Sequence, residues 1–206
     1  MLTLYYAPGT CALATHLALE YAGVPYEAVR LDFRQQQQRS PDYLRINPKG
    51  RVPALVTGRG VLTETPALLQ YVASTFPEAR LAPLDDAFQL ARMNEFNTYL
   101  CSTVHVAHAH GARGSRWSDD AAAIASMKNK VQQNMTDCFE LIETRMLEGP
   151  WVLGERFSTS DLYLYTLARW LEGDGVDVQR FAKVADHFRR MGEQPQVRKV
   201  LEKHKP

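Results

Sequence analysis

The first residues of the chain predict a strand, a loop and a helix, with a cysteine where the loop meets the helix. An apolar run over residues 2–6 precedes Pro8 and Gly9, which favour a turn, and residues 12–22 have helical character. Cys11 therefore falls in the first turn of a helix, where free backbone N–H groups and the helix dipole favour a thiolate. Two interpretations are open: Cys11 performs thiol chemistry, or it is a small buried hydrophobic residue.

The rest of the N-terminal part continues to alternate between strand and helix signals. Residues 26–32 alternate apolar and polar side chains, as a strand does. Residues 53–57 and 61–63 are short β-rich runs on either side of a Gly-Arg-Gly turn, which is typical of a hairpin. The Thr65-Pro66 pair predicts the N-cap and first turn of a helix that ends near residue 76. The predicted order is β-α-β, a connection, and then β-β-α.

The second part of the chain has only helical patterns. Residues 76–86, a polar segment with two prolines, have the character of a linker and place a domain boundary near residue 80. Ser158 and Asp161 precede an apolar helix as a capping box, with aspartate in place of the usual glutamate. The sequence therefore predicts an α/β domain over residues 1–80 and an all-α domain over residues 87–206. Its helices are expected at about residues 87–110, 118–147, 159–171, 178–192 and 195–203.

Composition and charge exclude several classes of partner. The 24 basic and 23 acidic residues are intermixed and give a net charge of +1, so bulk charge favours neither nucleic acid nor an anionic membrane. The three cysteines are far apart, which favours a reducing compartment over a disulfide framework. The chain starts with a strand pattern and has no apolar run of about 18 residues, so we expect a cytoplasmic protein without membrane spans.

Four motifs, in this order, resemble those of the cytosolic glutathione transferases. Residues 6–11, YAPGTC, resemble the cysteine-bearing loop of the bacterial beta class, and residues 47–55, NPKGRVPAL, are similar to the glutathione-docking segment. The Glu64-Thr65 pair resembles the family's Glu-Ser pair, and residues 157–161 resemble its N-capping box. The resemblance covers essentially the whole chain. It implies a thioredoxin-like domain followed by an all-helical domain, glutathione as co-substrate, and a homodimer.

The resemblance assigns residues that hold the first two units of glutathione. A cis bond between Val52 and Pro53 turns the Val52 backbone groups outward, so that the cysteinyl unit pairs with them like an added strand. A trans turn before a strand is the alternative. Glu64 is expected to bind the γ-glutamyl ammonium, and Thr65, at a helix start, its carboxylate. A purely capping role for Thr65 is compatible with this assignment.

Two arginines complete the expected binding set. Arg51 belongs to the docking segment itself. The family's lysine for the glycyl carboxylate of glutathione falls near residues 34–36, where this chain has arginine followed by two glutamines. We therefore expect Arg34 to replace that lysine.

The expected catalytic residues come from both domains. His105 aligns with the beta-class histidine that approaches glutathione, and its spacing places Cys101 and His108 on the same helix face. The alternative is a histidine that is satisfied by interdomain packing. His108 and His110 are expected to pack or to lie at the surface, and the HVAHAH pattern lacks the carboxylate and spacing of a metal site. The expected catalytic set is Cys11, His105 and Tyr6.

One departure from the beta class affects how the sulfur is activated. Ala12 stands where that class commonly has serine, so backbone N–H groups, Thr10 or Tyr6 have to donate to sulfur instead. We expect the helix N-terminus to lower the pKa of Cys11, with help from His105 if this histidine is protonated or donates a hydrogen bond.

The expected function is transfer of the glutathione thiolate to a small hydrophobic electrophile. Its pocket should lie between the domains, near Tyr6, the helix that carries His105, and Trp117. Two alternatives remain. In the first, a thiol-disulfide reductase, Cys11 itself attacks and carries glutathione as a mixed disulfide. The second is a non-catalytic protein that uses the same fold for binding.

Overall fold

The N-terminal part is built on a four-stranded mixed sheet. We describe a computed structural model of the protein over residues 1–205. The strand order is β2-β1-β3-β4; β1 runs parallel to β2 and antiparallel to β3, and β4 forms a hairpin with β3. Leu4 of β1 and Leu55 of β3 are opposite each other and have no exposed surface, so the sheet centre lies in the core. The strands are β1 (Leu2–Tyr6), β2 (Tyr26–Arg30), β3 (Ala54–Thr57) and β4 (Gly60–Thr63).

Helices cover both faces of this sheet. They are α1 (Ala12–Ala22), α2 (Pro41–Ile46) and α3 (Thr65–Thr75), and α1 packs against α3. Side chains alternate along a strand. The ring of Tyr6 accordingly lies 4.9 Å from that of His16 on α1, whereas the ring of Tyr5 lies 5.5 Å from that of Tyr43 on α2. The sequence analysis missed α2, although Ser40 caps it by accepting a hydrogen bond from the Tyr43 N–H.

The C-terminal part is helical, as expected. The predicted helix over 87–110 is continuous but has a π-helical segment at Leu100–Val104. The predicted helix over 118–147 is two helices that meet at Lys130, followed by a π-helical segment. Two isolated β-bridges near Trp151 add short extended contacts that the sequence did not indicate. The helices are α4 (Ala87–Tyr99), α5 (His105–Arg113), α6 (Ala121–Asn129), α7 (Val131–Leu141), α8 (Thr159–Ala168), α9 (Ala182–Glu193) and α10 (Pro195–Lys203).

The two parts share a continuous core. Helix α1 packs against α8 and α10, and every residue of α8 is buried. In the linker, Leu81 is buried and its carbonyl accepts a hydrogen bond from the Thr159 N–H at 2.9 Å. The α/β plus all-α class is confirmed. The bounds 1–80 and 87–206 stay a prediction, and residue 206 lies outside the described residues.

One local prediction about the helices is confirmed by the structure. The capping box at the start of α8 is present, with Ser158 and Asp161 in the expected roles. Within residues 1–205, no helix combines the length and the apolar character that a membrane crossing requires.

Candidate active site between the sheet and the helical domain

A cavity of about 400 Å³ lies between the two parts of the chain. One wall is formed by the loop after β1, the segment before β3 and the start of α3. The other wall is formed by α5, the turn after it, and side chains from α8. The cavity contains most of the residues expected in the site: Cys11, Arg51, Val52, Pro53, Glu64, Thr65 and His105 all line it.

Cys11 is held at the start of α1 as a buried, protonated thiol. It occupies the N-cap position of α1, and its Sγ lies 3.7 Å from the carbonyl oxygen of Val52, to which it donates. Burial raises the pKa of Cys11, while the nearby Thr65 hydroxyl and the Arg113 charge act in the opposite direction. The expectation of a lowered pKa is therefore wrong, because desolvation of the thiolate outweighs the groups that stabilise it.

The docking segment is fixed from below by α2. The bond between Val52 and Pro53 is cis. The carbonyl of the preceding residue, Arg51, accepts hydrogen bonds from the Tyr43 hydroxyl at 2.6 Å and from the Asn47 side-chain amide at 2.7 Å. Both donors are buried, so the backbone of this segment is held at the cavity wall in one position.

The Glu64-Thr65 pair begins α3 in an unusual conformation. Glu64, not Thr65, is the N-cap residue; its φ is 72°, a region that residues other than glycine rarely adopt. Strain of this kind costs about 1–3 kcal/mol and concentrates at functional sites. The Glu64 carboxylate forms an ion pair with Lys49, which also donates to the Thr63 hydroxyl at 2.6 Å. Thr65 is buried beside Cys11.

Arg34 does not lie in the cavity. It is exposed, and its backbone N–H donates to Asp32 at 2.8 Å in a turn that precedes the cavity wall. This loop contributes Phe33, Gln38 and Arg39 to the lining of the cavity, and Gln36 between them has a positive φ of 53°. Arg34 is therefore not at its expected position in the cavity, and Arg39 is the basic side chain of this loop that lines it.

Tyr6 also lies outside the cavity. Because it points to the α1 face of the sheet, its ring packs between His16 and His204, at centroid distances of 4.9 and 4.7 Å. Its hydroxyl donates to the Lys203 carbonyl at 3.1 Å. Contrary to the prediction, Tyr6 does not line the cavity, because its hydroxyl is bonded to the C-terminal segment.

Two histidines of α5, His105 and His108, line the cavity. Burial, together with the charges of Arg113 and neighbouring groups, lowers the pKa of His105 to about 4, so that a protonated His105 cannot assist the sulfur at neutral pH. The His108 ring stacks on Trp170 at 4.2 Å, and its Nδ1 lies 2.8 Å from a carboxylate oxygen of Asp174. His108 also lines the cavity, and its stacking on Trp170 agrees with the predicted packing role.

Two cavity residues were not recognised as functional from the sequence. Cys101 lines the cavity with Cys11, which the shared helix face with His105 indicated but did not establish. Tyr163, from α8, lies beside Thr65 and both cysteines. Its hydroxyl is buried and has no hydrogen-bond partner among the described residues. No sequence pattern distinguishes it, because all of α8 is buried and Tyr163 looks in the sequence like one more core residue.

The comparisons with known proteins identify the family. Residues 1–74 match the family model for the glutathione S-transferase N-terminal domain, and residues 106–190 match that for the C-terminal domain. A glutathione transferase homologue from Sulfitobacter, solved with bound glutathione, is 46% identical, with a TM-score of 0.96 over 98% of each chain. The chain belongs to the glutathione S-transferase family.

Bacterial members of this family match over almost their whole length. The beta-class glutathione S-transferase of Sphingomonas chungbukensis is 28% identical over 98% of each chain, with a TM-score of 0.85. Glutathione S-transferase GstA of Escherichia coli O157:H7 is 28% identical over 96% of each chain. Glutathione S-transferases are enzymes with glutathione as co-substrate, and the expected family and enzyme class are confirmed.

Proposed function

We propose that this glutathione S-transferase joins the sulfur of glutathione to a small electrophile in the cavity between its two parts. The observation that carries the proposal is that the docking segment, the start of α3 and Cys11 all line one cavity. The bound glutathione in the Sulfitobacter homologue supports the same ligand here. In a substitution the sulfur forms a bond to carbon and the leaving group departs with its electron pair; in an addition a proton goes to the neighbouring carbon.

Glutathione would be held along its whole length. The γ-glutamyl carboxylate meets the Thr65 hydroxyl and the free N–H groups at the start of α3, and its ammonium meets the Glu64 carboxylate. The cysteinyl unit pairs with the backbone of Val52. The glycyl carboxylate then points towards the wall formed by Arg39 and Arg51, which line the cavity without a salt bridge to any residue of 1–205.

Cys11 then acts as a hydrogen-bond donor to the glutathione sulfur. Its raised pKa keeps it protonated at neutral pH, and a thiol that donates stabilises a neighbouring thiolate. The Tyr163 hydroxyl is a second donor in the same place, since burial raises its pKa well above the usual value. The positive charge of Arg51 also favours a glutathione thiolate in the cavity.

A second candidate function is glutathione-dependent reduction of disulfides. The observation that favours it is that Cys101 shares the cavity with Cys11. Cys11 would attack a glutathione disulfide and release one thiolate, and a second thiol would then displace glutathione from the mixed disulfide. That second thiol is either free glutathione or Cys101. A binding protein without turnover is the remaining alternative.

Alanine variants of the two cysteines separate these functions. If glutathione supplies the reacting sulfur, Cys11→Ala retains substantial conjugation of 1-chloro-2,4-dinitrobenzene while losing the protein–glutathione disulfide that mass spectrometry detects after exposure to oxidised glutathione. If Cys11 is the nucleophile, both properties are lost together. Cys101→Ala is the matched control, because it removes a thiol from the same cavity. Binding of glutathione without conjugation by the unmodified protein would contradict the proposal.

We also propose that the protein is a cytoplasmic homodimer. The dimer follows from the family, and exposed apolar side chains on β4 and α4, including Val61 and Phe88, are available for a partner. The cytoplasmic location rests on the three free cysteines. Light scattering should give about twice the 23.3 kDa of one chain, and a mass of one chain at micromolar concentration would contradict the dimer.

A further inference from the structure

The cavity has a strong excess of positive charge. Four arginines line it: Arg39, Arg51, Arg113 and Arg116. Across residues 1–205 none of the four forms a salt bridge. Glu64 is the one carboxylate among the lining residues, and it already pairs with Lys49. A site with this charge balance attracts anions.

The arginine charges lie close enough to affect one another. Burial and the charges of Arg113, Arg51 and Arg39 together lower the pKa of Arg116. Arg113, Arg116 and Arg51 likewise contribute to the low pKa of His105, and no carboxylate opposes them there. The Asp174 carboxylate faces His108 instead. Like charges that repel without a counterion destabilise the empty cavity, and a bound anion relieves that repulsion.

Glutathione alone does not neutralise this charge. As a thiolate it has two carboxylates, one thiolate and one ammonium, which leaves one positive charge of the lining residues uncompensated. One of its carboxylates is already taken by the start of α3. Arg113, at the end of α5, and Arg116, in the turn after it, belong to the wall opposite the docking segment. They are therefore available to the second substrate.

The same wall presents flat aromatic surfaces. The Trp117 side chain follows Arg116 directly and is 47% exposed, an unusual state for a tryptophan beside a cavity. Its orientation is fixed by the edge of the His110 ring at 4.5 Å. Trp170 forms the other aromatic surface, between His105 and His108. Because the His108 ring already stacks on Trp170, a planar group would stack on the Trp117 indole while an attached anion reaches a guanidinium.

We propose that the second substrate is a planar electrophile that carries a carboxylate, held by Arg113 and Arg116 against Trp117. This inference rests on the proposed transferase function and narrows the expected hydrophobic electrophile to an anionic one. The carboxylate binds the guanidinium groups, and the ring stacks on the indole with its reacting carbon towards the glutathione sulfur. In a substitution on such a ring, sulfur bonds to the carbon and the halide leaves with its electron pair.

A pair of matched probes tests the proposed charge. They are 4-chloro-3,5-dinitrobenzoate and its methyl ester, which differ only in whether the group opposite the chlorine is charged. Each enzymatic kcat/KM is divided by the rate constant of the uncatalysed reaction with glutathione, which corrects for chemical reactivity. We expect the corrected value for the carboxylate to exceed that for the ester by about tenfold or more, the effect of one charge-assisted contact. Equal corrected values would overturn the proposal.

Glutamine variants locate the contact. In Arg113→Gln/Arg116→Gln the ratio of carboxylate to ester should fall about tenfold, towards one. The matched control is Arg59→Gln/Arg80→Gln, which removes the same charge from exposed positions outside the cavity and should keep the preference. If the arginines serve glutathione instead, its KM rises with both probes and their ratio stays unchanged, which contradicts the proposal.

Product binding separates a failure of this inference from a failure of the transferase function. The glutathione conjugates of the two probes are prepared chemically, and their affinities for the unmodified protein are measured by calorimetry. Tighter binding of the carboxylate conjugate supports the anionic site even when neither probe is turned over. Turnover of both probes with equal conjugate affinities keeps the transferase function and refutes the anionic substrate.

Discussion

Nδ1 of His16, on α1, lies 3.0 Å from Nε2 of His204, directly after α10. Both rings are packed against Tyr6, which also donates to the carbonyl of Lys203. The guanidinium of Arg30 also donates a hydrogen bond to the backbone carbonyl of Lys205, in the same C-terminal segment, at 2.9 Å. The pair therefore joins the C-terminal segment to the thioredoxin-like part, and it forms this hydrogen bond only when at least one ring is neutral.

This pair should make the protein sensitive to moderate acid. Burial, with nearby positive charge, lowers the pKa of His16 to about 3 and that of His204 to about 4, whereas an unfolded histidine titrates near about 6.5. Between these values the unfolded chain binds more protons, so stability is complete above about pH 6.5 and falls towards about pH 4. Each excluded proton reduces the free energy of unfolding by about 1.4 kcal/mol per pH unit.

Urea unfolding at several pH values between these limits measures that slope. His204→Gln should reduce the slope, because glutamine retains a polar partner for His16 without a titrating ring. His110→Gln, which changes a histidine outside the pair, is the control and should leave the slope unchanged. An identical pH dependence in all three proteins would show that the pair does not cause the acid sensitivity.

Glutathione affinity should depend on Glu64. Glu64→Ala leaves the γ-glutamyl ammonium without its carboxylate and leaves Lys49, the present partner of Glu64, beside it. We expect calorimetry to show binding weaker by about 1.5–3 kcal/mol, the value of a hydrogen bond to a charged group. Glu78→Ala, which removes an exposed acid outside the cavity, should bind as the unmodified protein does. Unchanged affinity in Glu64→Ala would refute the docking model.

The sequence predicted those features that depend on local patterns. The strand, thiol and helix around Cys11, the hairpin of β3 and β4, and the capping box at Ser158 each depend on residues within a few positions of one another. The docking segment was predicted in the same way, from a contiguous motif, and its binding role stays a prediction. Local signals of this kind predict an element and its approximate ends, and the structure confirms the elements.

Features that depend on chain reversal or burial were not predictable. Arg39 lines the cavity and Arg34 does not, and no periodicity in the sequence indicates which side chains of this loop face the cavity. The Tyr6 side chain points to the α1 face of the sheet, where it contacts His16, and therefore away from the cavity. The charge state of His105 depends on its burial and on arginines that fold towards it, which sequence spacing does not reveal.

The stability of the helical part should depend strongly on Asp161. Beyond the capping box, its carboxylate accepts the Val152 N–H at 2.8 Å and lies 3.1 Å from Nε2 of the buried His187. Asp161→Ala leaves several buried donors without an acceptor. We therefore expect urea unfolding to show a free energy of unfolding lower by about 3–5 kcal/mol, which is more than the loss of an ordinary helix cap costs. Asp85→Ala, at an exposed ion pair with Arg156, should leave the free energy of unfolding nearly unchanged. Similar losses in both would contradict this view.

Removal of the Tyr163 hydroxyl tests whether this group serves catalysis or the stability of the fold. It is buried in the cavity wall with Cys101 and Thr65 as polar neighbours, and none of residues 1–205 forms a hydrogen bond of good geometry with it. A buried hydroxyl without a well-formed hydrogen bond contributes little to stability, so we expect that its removal does not destabilise the fold. Tyr21 on α1 has the same property but lies outside the cavity, against the ring of Phe157.

Tyr163→Phe should therefore lower activity without lowering stability. We expect kcat/KM for conjugation to fall about tenfold or more, because one donor to the developing thiolate is lost, while the melting temperature stays the same or rises. The pKa of bound glutathione, followed by thiolate absorbance in the ultraviolet, should rise in this variant. Tyr21→Phe removes an equivalent hydroxyl and should change neither activity nor the glutathione pKa. If Tyr163→Phe keeps full activity, or loses stability in proportion to activity, the hydroxyl does not act on the glutathione sulfur.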